Sequence, residues 1–170
     1  MSIAKILVPI FGSKNDAAGL ATAFAAAKPF AAHVQVLFTR PDPQEAIAVM
    51  GMPLSGNLVQ ALIDSQERVT ATAVRHARAA LATEAEKAGV RIVAEPDRGD
   101  AVTASYREET GRLGHVLEGA LRFCDLVVFP PGTETNPDLR DVLVGILTRA
   151  QRPVLLAPAT APAQVGSKIT

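Results

Sequence analysis

The sequence of 170 residues contains one cysteine, one tyrosine, no tryptophan and no excess of charge of either sign. The single Cys124 cannot form an internal disulfide, and the chain has no CxxC motif or Cys/His cluster of the kind that binds zinc. Lysine and arginine number 17 and are matched by 17 aspartates and glutamates. Nucleic-acid binding requires clustered cations and usually stacking aromatics, and aromatic residues make up only 4%. We therefore expect neither a metal site nor a nucleic-acid partner.

Long hydrophobic runs are also missing. The apolar stretches over 24–27 and 29–32 are short and are separated by Lys28, so no segment is expected to span a membrane. The first residues show no pattern typical of a cleavable signal, and we predict a cytoplasmic location. Hydrophobic residues make up 48% and charged residues 20% of the chain, which is enough to bury a core within one domain.

Short apolar strands alternate with helical segments along the chain. Continuous apolar runs predict buried strands, whereas spacings of three and four residues predict helices. The predicted strands cover 3–9, 34–39, 91–94, 125–129 and 153–157, and the predicted helices cover 14–28, 58–88, 113–123 and 138–150. Residues 101–107 are expected to continue the third strand or to pair with it, and 41–57 to form a loop with a short helix at 44–50. This alternation predicts a mostly parallel α/β sheet over residues 1–158, followed by a tail or linker over 159–170.

Three segments together resemble landmarks of the universal stress protein family. They are KILVPIFGS at 5–13, DLVV at 125–128 and RPVLL at 152–156, and their order and spacing also match. The resemblance covers residues 3–158. It implies a three-layer, Rossmann-like fold of the adenine nucleotide alpha hydrolase-like type, with five parallel strands in the order 3-2-1-4-5. It also implies a homodimer, which we expect to form through the edge of the fifth strand at Val154, Leu155, Leu156 and Ala157.

Many members of that family bind ATP and others do not. The ATP-binding members carry glycine, two residues, glycine, nine residues and then glycine with serine or threonine, after the fourth strand. Counted forward from the strand end, the glycine positions fall on Pro130, Thr133 and Leu143. Counted back from the fifth strand, the last glycine and the serine or threonine after it fall on Arg140 and Asp141. A third register keeps two glycines but ends before an isoleucine; it runs over Gly132, Thr135, Gly145 and Ile146.

Two departures from the family pattern argue against ATP. Pro130 and Pro131 remove two backbone N–H donors where a phosphate would need them. Phe11 stands where nucleotide-binding members place an aspartate after the first strand. We therefore predict no cofactor, although the resemblance still implies a pocket at nine positions. They are Pro9, Ile10, Phe11, Gly12, Phe38, Arg40, Pro130, Gly132 and Arg140.

Other candidate sites have simpler interpretations. Ser13, Asn15 and Asp16 can each accept backbone N–H groups and so cap the first helix. Arg140 and Asp141 are interpreted as a surface ion pair, or alternatively Arg140 provides a cation for an anionic ligand other than ATP. Cys124 reads as a core residue, and no nucleophile–base arrangement is present, so we predict no catalytic residue and no enzyme activity.

Three functions remain after these considerations. The first is a non-catalytic stress-response module that acts through association without nucleotide. The alternative is a switch that binds ATP or AMP through an atypical loop after the fourth strand. An enzyme on the same scaffold is the third, and it has no supporting motif. Residues 165–170 also resemble the opening of another strand, which raises the hypothesis that the chain is the first half of a tandem protein, or else ends in a frayed terminus.

Overall fold

The computed structural model of the chain describes residues 3–42, 55–96 and 99–166. Six strands form one parallel sheet within these ranges, and four α-helices connect them. The strands are β1 (Lys5–Ile10), β2 (His33–Arg40), β3 (Arg91–Ile92), β4 (Thr103–Thr110), β5 (Leu126–Phe129) and β6 (Val154–Leu156). The helices are α1 (Asp16–Ala27), α2 (Gly56–Ala88), α3 (Leu113–Leu121) and α4 (Pro137–Gly145), which continues into a π-helical turn at Ile146–Ala150.

The sheet has the order β3-β4-β2-β1-β5-β6, with β1 at its centre. β1 pairs with β2 along its whole length, from Lys5 opposite His33 to Ile10 opposite Phe38, and pairs with β5 on its other side. Five of its six residues are buried. A strand covered on both faces needs apolar side chains in both directions, which is why β1 has a continuous apolar sequence.

Helices cover the two faces of the sheet and enclose separate hydrophobic cores. Ile6 and Val8 of β1 pack with α1 and α2, whereas the intervening Leu7 packs with α3 and α4. Successive side chains of a strand point to opposite faces, so one strand contributes to both cores. The result is the predicted three-layer architecture, and the parallel α/β fold class is confirmed.

The third predicted strand is divided into two strands. The part at 91–94 contributes only the exposed pair Arg91–Ile92, and β4 takes the position next to β2, with eight residues in register. β3 pairs with the start of β4. Of the two expectations for 101–107, pairing with the third predicted strand is therefore confirmed, and continuation of that strand is not. The sheet therefore has six strands instead of five. Without β3, its order is the predicted 3-2-1-4-5.

The predicted helix at 58–88 is confirmed as α2, which runs for 33 residues and ends at Gly89 in the left-handed conformation. The predicted short helix at 44–50 lies outside the described residues. None of the helices in the described ranges combines the length and the apolar character needed to cross a membrane. After β6, residues 157–166 have no regular secondary structure, and Val165 packs against the core beneath α1 and α2.

Candidate functional site

The turn between β1 and α1 is organised around the side chain of Asp16. Its carboxylate accepts hydrogen bonds from the backbone N–H groups of Phe11 at 3.1 Å, Gly12 at 2.7 Å and Ser13 at 3.1 Å. The hydroxyl of Ser13 adds a fourth donor at 2.9 Å. Asp16 is completely buried. The sequence indicated that Asp16 could accept backbone N–H groups, and the structure shows that it reaches back to the loop after β1.

Burial raises the pKa of Asp16 above its ordinary value, and the hydrogen bonds from Ser13, Phe11 and Gly12 lower it in part. Four donors converge on an oxygen pair that is acceptor-only when ionised, so the geometry is that of a carboxylate. Successive N–H groups in a turn form a concavity that binds anions. In this chain an internal carboxylate occupies that concavity.

Gly12 allows α2 to lie directly against the same turn. It has a φ of +71°, and a Cβ at this position would be 2.4 Å from the carbonyl oxygen of Ala73 and 2.5 Å from its Cα atom. Backbone atoms cannot move aside as a flexible side chain can, and a positive φ strains any other L-residue. The face of the turn toward α2 is therefore closed by protein backbone.

The loop after β5 is tied to the beginning of α1. Asn15 donates from its side-chain amide to the carbonyl of Pro131 at 2.9 Å, and the hydroxyl of Thr133 donates to the carbonyl of Pro130 at 2.7 Å. Pro130 also lies against Gly19 of α1, where an added Cβ would be 3.1 Å from the proline ring. These contacts hold the two prolines against α1.

A cavity of about 690 Å³ lies beside these loops, at the carboxyl ends of β1, β2 and β4. Open α/β sheets bind ligands at this end of the strands. The lining is largely apolar, and two carboxylates and one guanidinium are included in it. The lining residues are Phe11, Thr39, Pro41, Asp42, Gly111, Arg112, Leu113, Gly114, Asp138 and Val142.

Comparison with solved structures decides the fold type. The universal stress protein UspA from Lactobacillus plantarum matches 93% of this chain and 99% of its own length, with 15% identity and a TM-score of 0.61. The chain has the universal stress protein fold. The predicted resemblance is thus confirmed for the fold, whereas no family model matches the sequence and no curated protein matches it.

Two further universal stress protein structures contain nucleotides. One, in complex with cAMP, matches 94% of this chain and 100% of its own length, with 16% identity and a TM-score of 0.59. The other is an Arabidopsis thaliana protein of the family with AMP bound, which matches 94% and 93% of the two chains, with 11% identity and a TM-score of 0.52.

In this universal stress protein fold, the nine predicted pocket residues do not converge on one cavity. Phe11 lines the large cavity, and its neighbour Gly12 lies under α2. Pro9 is buried in β1, whereas Ile10 and Phe38 face the core beneath α1 and α2. Pro130 contacts α1, Gly132 has a φ of +83° beside Asn15, and Arg140 is exposed on α4. Ligand binding at these positions stays a prediction.

Arg40 belongs to a polar network on the face of the sheet that α2 covers. Its guanidinium donates to Glu108 at 3.0 Å, and Arg78 of α2 donates to the other oxygen at 2.9 Å. The Arg78 guanidinium also lies 4.5 Å from the centre of the Tyr106 ring. Burial alone would raise the pKa of Glu108, but the hydrogen bonds from Arg78 and Arg40 outweigh it and lower that pKa. Burial, followed by Glu108, raises the pKa of Tyr106 to about 12.

Sequence reasoning missed a buried polar cluster around His33, on the face of the sheet that α3 and α4 cover. His33 is 6% exposed, and its two ring nitrogens lie 2.8 Å from the hydroxyls of Thr103 and Ser105. Burial, followed by the nearby charge of Lys5, lowers the pKa of His33. The partners are 70 and 72 positions away in the chain, so no local pattern in the sequence indicated the cluster.

Cys124 and metal binding can be assessed from the same structure. The Cys124 thiol is buried and contacts the carbonyl of Ala120 at 3.3 Å, and burial raises its pKa to about 11. Such a thiol is protonated at neutral pH and is a poor nucleophile. Across residues 3–42, 55–96 and 99–166, no group of three or more His, Cys, Asp or Glu side chains is arranged to hold a metal ion.

Proposed function

We propose that this chain is a non-catalytic, cytoplasmic module of universal stress type that acts by associating with other chains and does not bind ATP. The observation that carries the proposal is the position of the Asp16 carboxylate. Successive backbone N–H groups in the turn between a strand and a helix are natural donors to a phosphate. Here those of residues 11–13 already donate to Asp16.

The loop after β5 supports the same proposal. Two of its positions are prolines without an N–H group, and Asn15 and Gly19 hold this loop against α1. Asp42 and Asp138 line the neighbouring cavity together with Arg112, so its lining carries more negative than positive charge. A triphosphate bound at the turn after β1 would therefore have to displace the Asp16 carboxylate.

Isothermal titration calorimetry with Mg-ATP tests the ATP part of the proposal. We expect no saturable heat up to millimolar nucleotide, and no rise in melting temperature, because a ligand that binds only the native state must stabilise it. A dissociation constant in the micromolar range would refute the proposal. Crystals soaked with ATP provide a second measurement. Electron density for adenine beside Phe11 would also refute the proposal.

Association is proposed to use the free edge of β6. Among the described residues this strand is the last in the sheet, and the outer edge of such a strand can pair with another chain. Leu156 is 41% exposed, and Val144 and Leu147 on the preceding helical segment are 52% and 51% exposed. Ala157, also predicted to take part, is buried, and its N–H group donates to Phe129, so we assign the contact to Val154, Leu155 and Leu156.

Light scattering coupled to size-exclusion chromatography tests this association. We expect twice the mass of one chain for the wild type and a single-chain mass for Leu156→Glu, because a carboxylate at the strand edge would be buried without a partner. Val69→Glu is the matched control, since Val69 is 68% exposed on α2, far from β6 in the chain. A wild-type protein that remains monomeric at high micromolar concentration would contradict the proposal.

A mononucleotide ligand is the second candidate, and the cavity beside Phe11 favours it. Its volume of about 690 Å³ is within the usual range for small-molecule sites, and solved structures of the same fold contain cAMP and AMP. A thermal-shift titration with AMP and cAMP distinguishes the two functions. A concentration-dependent stabilisation that Phe11→Ala abolishes would support the nucleotide switch, whereas no stabilisation supports the association module.

A further inference from the structure

Three arginines surround a second cavity, at the opposite end of the sheet from Phe11. Arg122 follows α3, Arg149 lies in the turn after α4, and Arg152 leads into β6. They line a cavity of about 300 Å³ together with Glu118, Leu121 and Ala150. Because α3 ends where β5 begins, this cavity lies at the amino ends of the strands. We refer to it as the arginine pocket.

Positive charge in the arginine pocket exceeds the negative charge around it. Glu118 is the carboxylate in the lining, 3.5 Å from the Arg149 guanidinium. Within the described parts of the chain, Arg122 and Arg152 form no ion pair. The carboxyl end of α3 adds roughly half a negative charge, which leaves a clear positive excess. The whole chain has a net charge of zero, so this excess is a local property.

Helix capping does not account for the three guanidiniums. The last carbonyls of α3 accept from main-chain N–H groups, Ala120 from Phe123 at 3.3 Å and Leu121 from Cys124 at 3.2 Å. In the turn after α4, the carbonyl of Ile146 accepts from the main-chain N–H group of Gln151 at 3.1 Å. Arg152 contacts the carbonyl of Arg122 at 3.5 Å, at the limit of a hydrogen bond. Since a guanidinium has five N–H donors, most of them stay free for another acceptor.

We infer that the arginine pocket binds a compact oxyanion, namely a small molecule that carries phosphoryl or carboxylate groups. A planar guanidinium donates two parallel hydrogen bonds to such an oxygen pair, which makes arginine the favoured residue for these groups. The volume of about 300 Å³ is at the lower end for ligand sites and suits a small anion better than a whole nucleotide. The arginine pocket is separate from the cavity beside Phe11.

Calorimetric titration with inorganic pyrophosphate, and in parallel with citrate, tests the inference at constant ionic strength set by sodium chloride. Saturable binding of either anion is expected, and the two arms distinguish phosphoryl from carboxylate recognition. Arg122→Gln and Arg152→Gln should each weaken binding by about tenfold or more, because each removes charge-assisted hydrogen bonds. Glu118→Gln should strengthen binding, since it removes the one opposing carboxylate in the lining.

Arg75→Gln is the matched control, because Arg75 is an exposed arginine on α2, away from the arginine pocket. Its affinity for both anions should equal that of the wild type. Circular dichroism and the melting temperature of each variant without ligand show whether it is folded. Absence of saturable binding for both anions would overturn the inference, and so would binding that Arg122→Gln and Arg152→Gln leave unchanged.

Discussion

Replacement of Asp16 by alanine should destabilise the fold by a predictable amount. The substitution removes the acceptor of three backbone N–H groups and one hydroxyl. Phe11 and Gly12 are half-buried and Ser13 is exposed, so water can compensate in part and each N–H group costs about 1 kcal/mol, the low end for an unsatisfied donor. The buried carboxylate itself is costly to desolvate, and its removal returns some of that free energy. The net loss should be about 2–3 kcal/mol.

Equilibrium unfolding in urea, followed by circular dichroism, measures this loss. For a chain of this size it corresponds to a decrease in melting temperature of roughly 4–12 °C. Asp141→Ala is the control, because Asp141 is exposed on α4, and it should change the free energy of unfolding by less than about 0.5 kcal/mol. If Asp16→Ala loses no more than Asp141→Ala, the loop amides do not depend on the carboxylate and the argument against a phosphate there fails.

A second measurement on Asp16→Ala tests the role of the carboxylate as an internal anion. The alanine variant leaves three N–H groups pointing into an empty space that a small anion can fill. Sodium sulfate should therefore raise the melting temperature of Asp16→Ala more than that of the wild type, at equal ionic strength in sodium chloride. An equal rise in both proteins would mean that sulfate acts only through its general effect on protein surfaces.

Three further substitutions follow from the same structure. Gly12→Ala should destabilise the protein by roughly 3 kcal/mol or more in urea unfolding, because the new methyl group meets the backbone of α2. His33 has a lowered pKa in the folded state, so its contribution to stability is present above pH 6.5 and is lost on acidification. His33→Gln should reduce that loss when the free energy of unfolding is measured from pH 7.5 to 5. Glu108→Gln should cost about 1–2 kcal/mol, since two guanidiniums lose their carboxylate.

Each of these substitutions has a control or a contrary outcome. Gly119→Ala lies in an exposed part of α3 with nothing within 4 Å of the added Cβ, and it should stabilise the helix. A pH slope that His33→Gln leaves unchanged would assign the acid sensitivity to other groups. Glu108 has a lowered pKa, so its contribution is present above about pH 4.5 and is lost below it. A penalty for Glu108→Gln that persists undiminished well below pH 4 would contradict this assignment.

The fold was predictable from the sequence because parallel strands are buried on both faces. The run from Ile6 to Ile10 supplies apolar side chains to both cores, and such runs identify strands without knowledge of their partners. The third strand was less predictable. β4 ends in four consecutive polar residues, Arg107 to Thr110, and the sequence left open whether 101–107 continues the third strand or pairs with it. Pairing is a tertiary property that one segment does not encode.

The candidate site was predictable only in part. Phe11 and the two prolines were recognised through the resemblance to universal stress proteins, because they stand where nucleotide-binding members have the aspartate and the glycine-containing loop. The hydrogen bonds of Asp16 were not recognised, because an aspartate near a helix start reads as a cap until its rotamer is known. The pairing of Arg40 with Glu108 bridges 68 positions, and the arginine pocket combines residues from three separate elements.

Under the proposed function, this universal stress protein fold is stable without a phosphate at the turn after β1. Helices that begin at the carboxyl edge of a parallel sheet direct N–H groups and positive dipole ends to one place, which is stabilised by a negative charge. A bound nucleotide supplies that charge from outside, and Asp16 supplies it from within the chain. An internal carboxylate is present at every ligand concentration, so under the proposed function we expect the fold to gain no stability from nucleotide there. If Asp16 is the reason, restoring glycines after β5 alone will not produce ATP binding, whereas combining those glycines with Asp16→Ala will increase the affinity for ATP measurably by calorimetry.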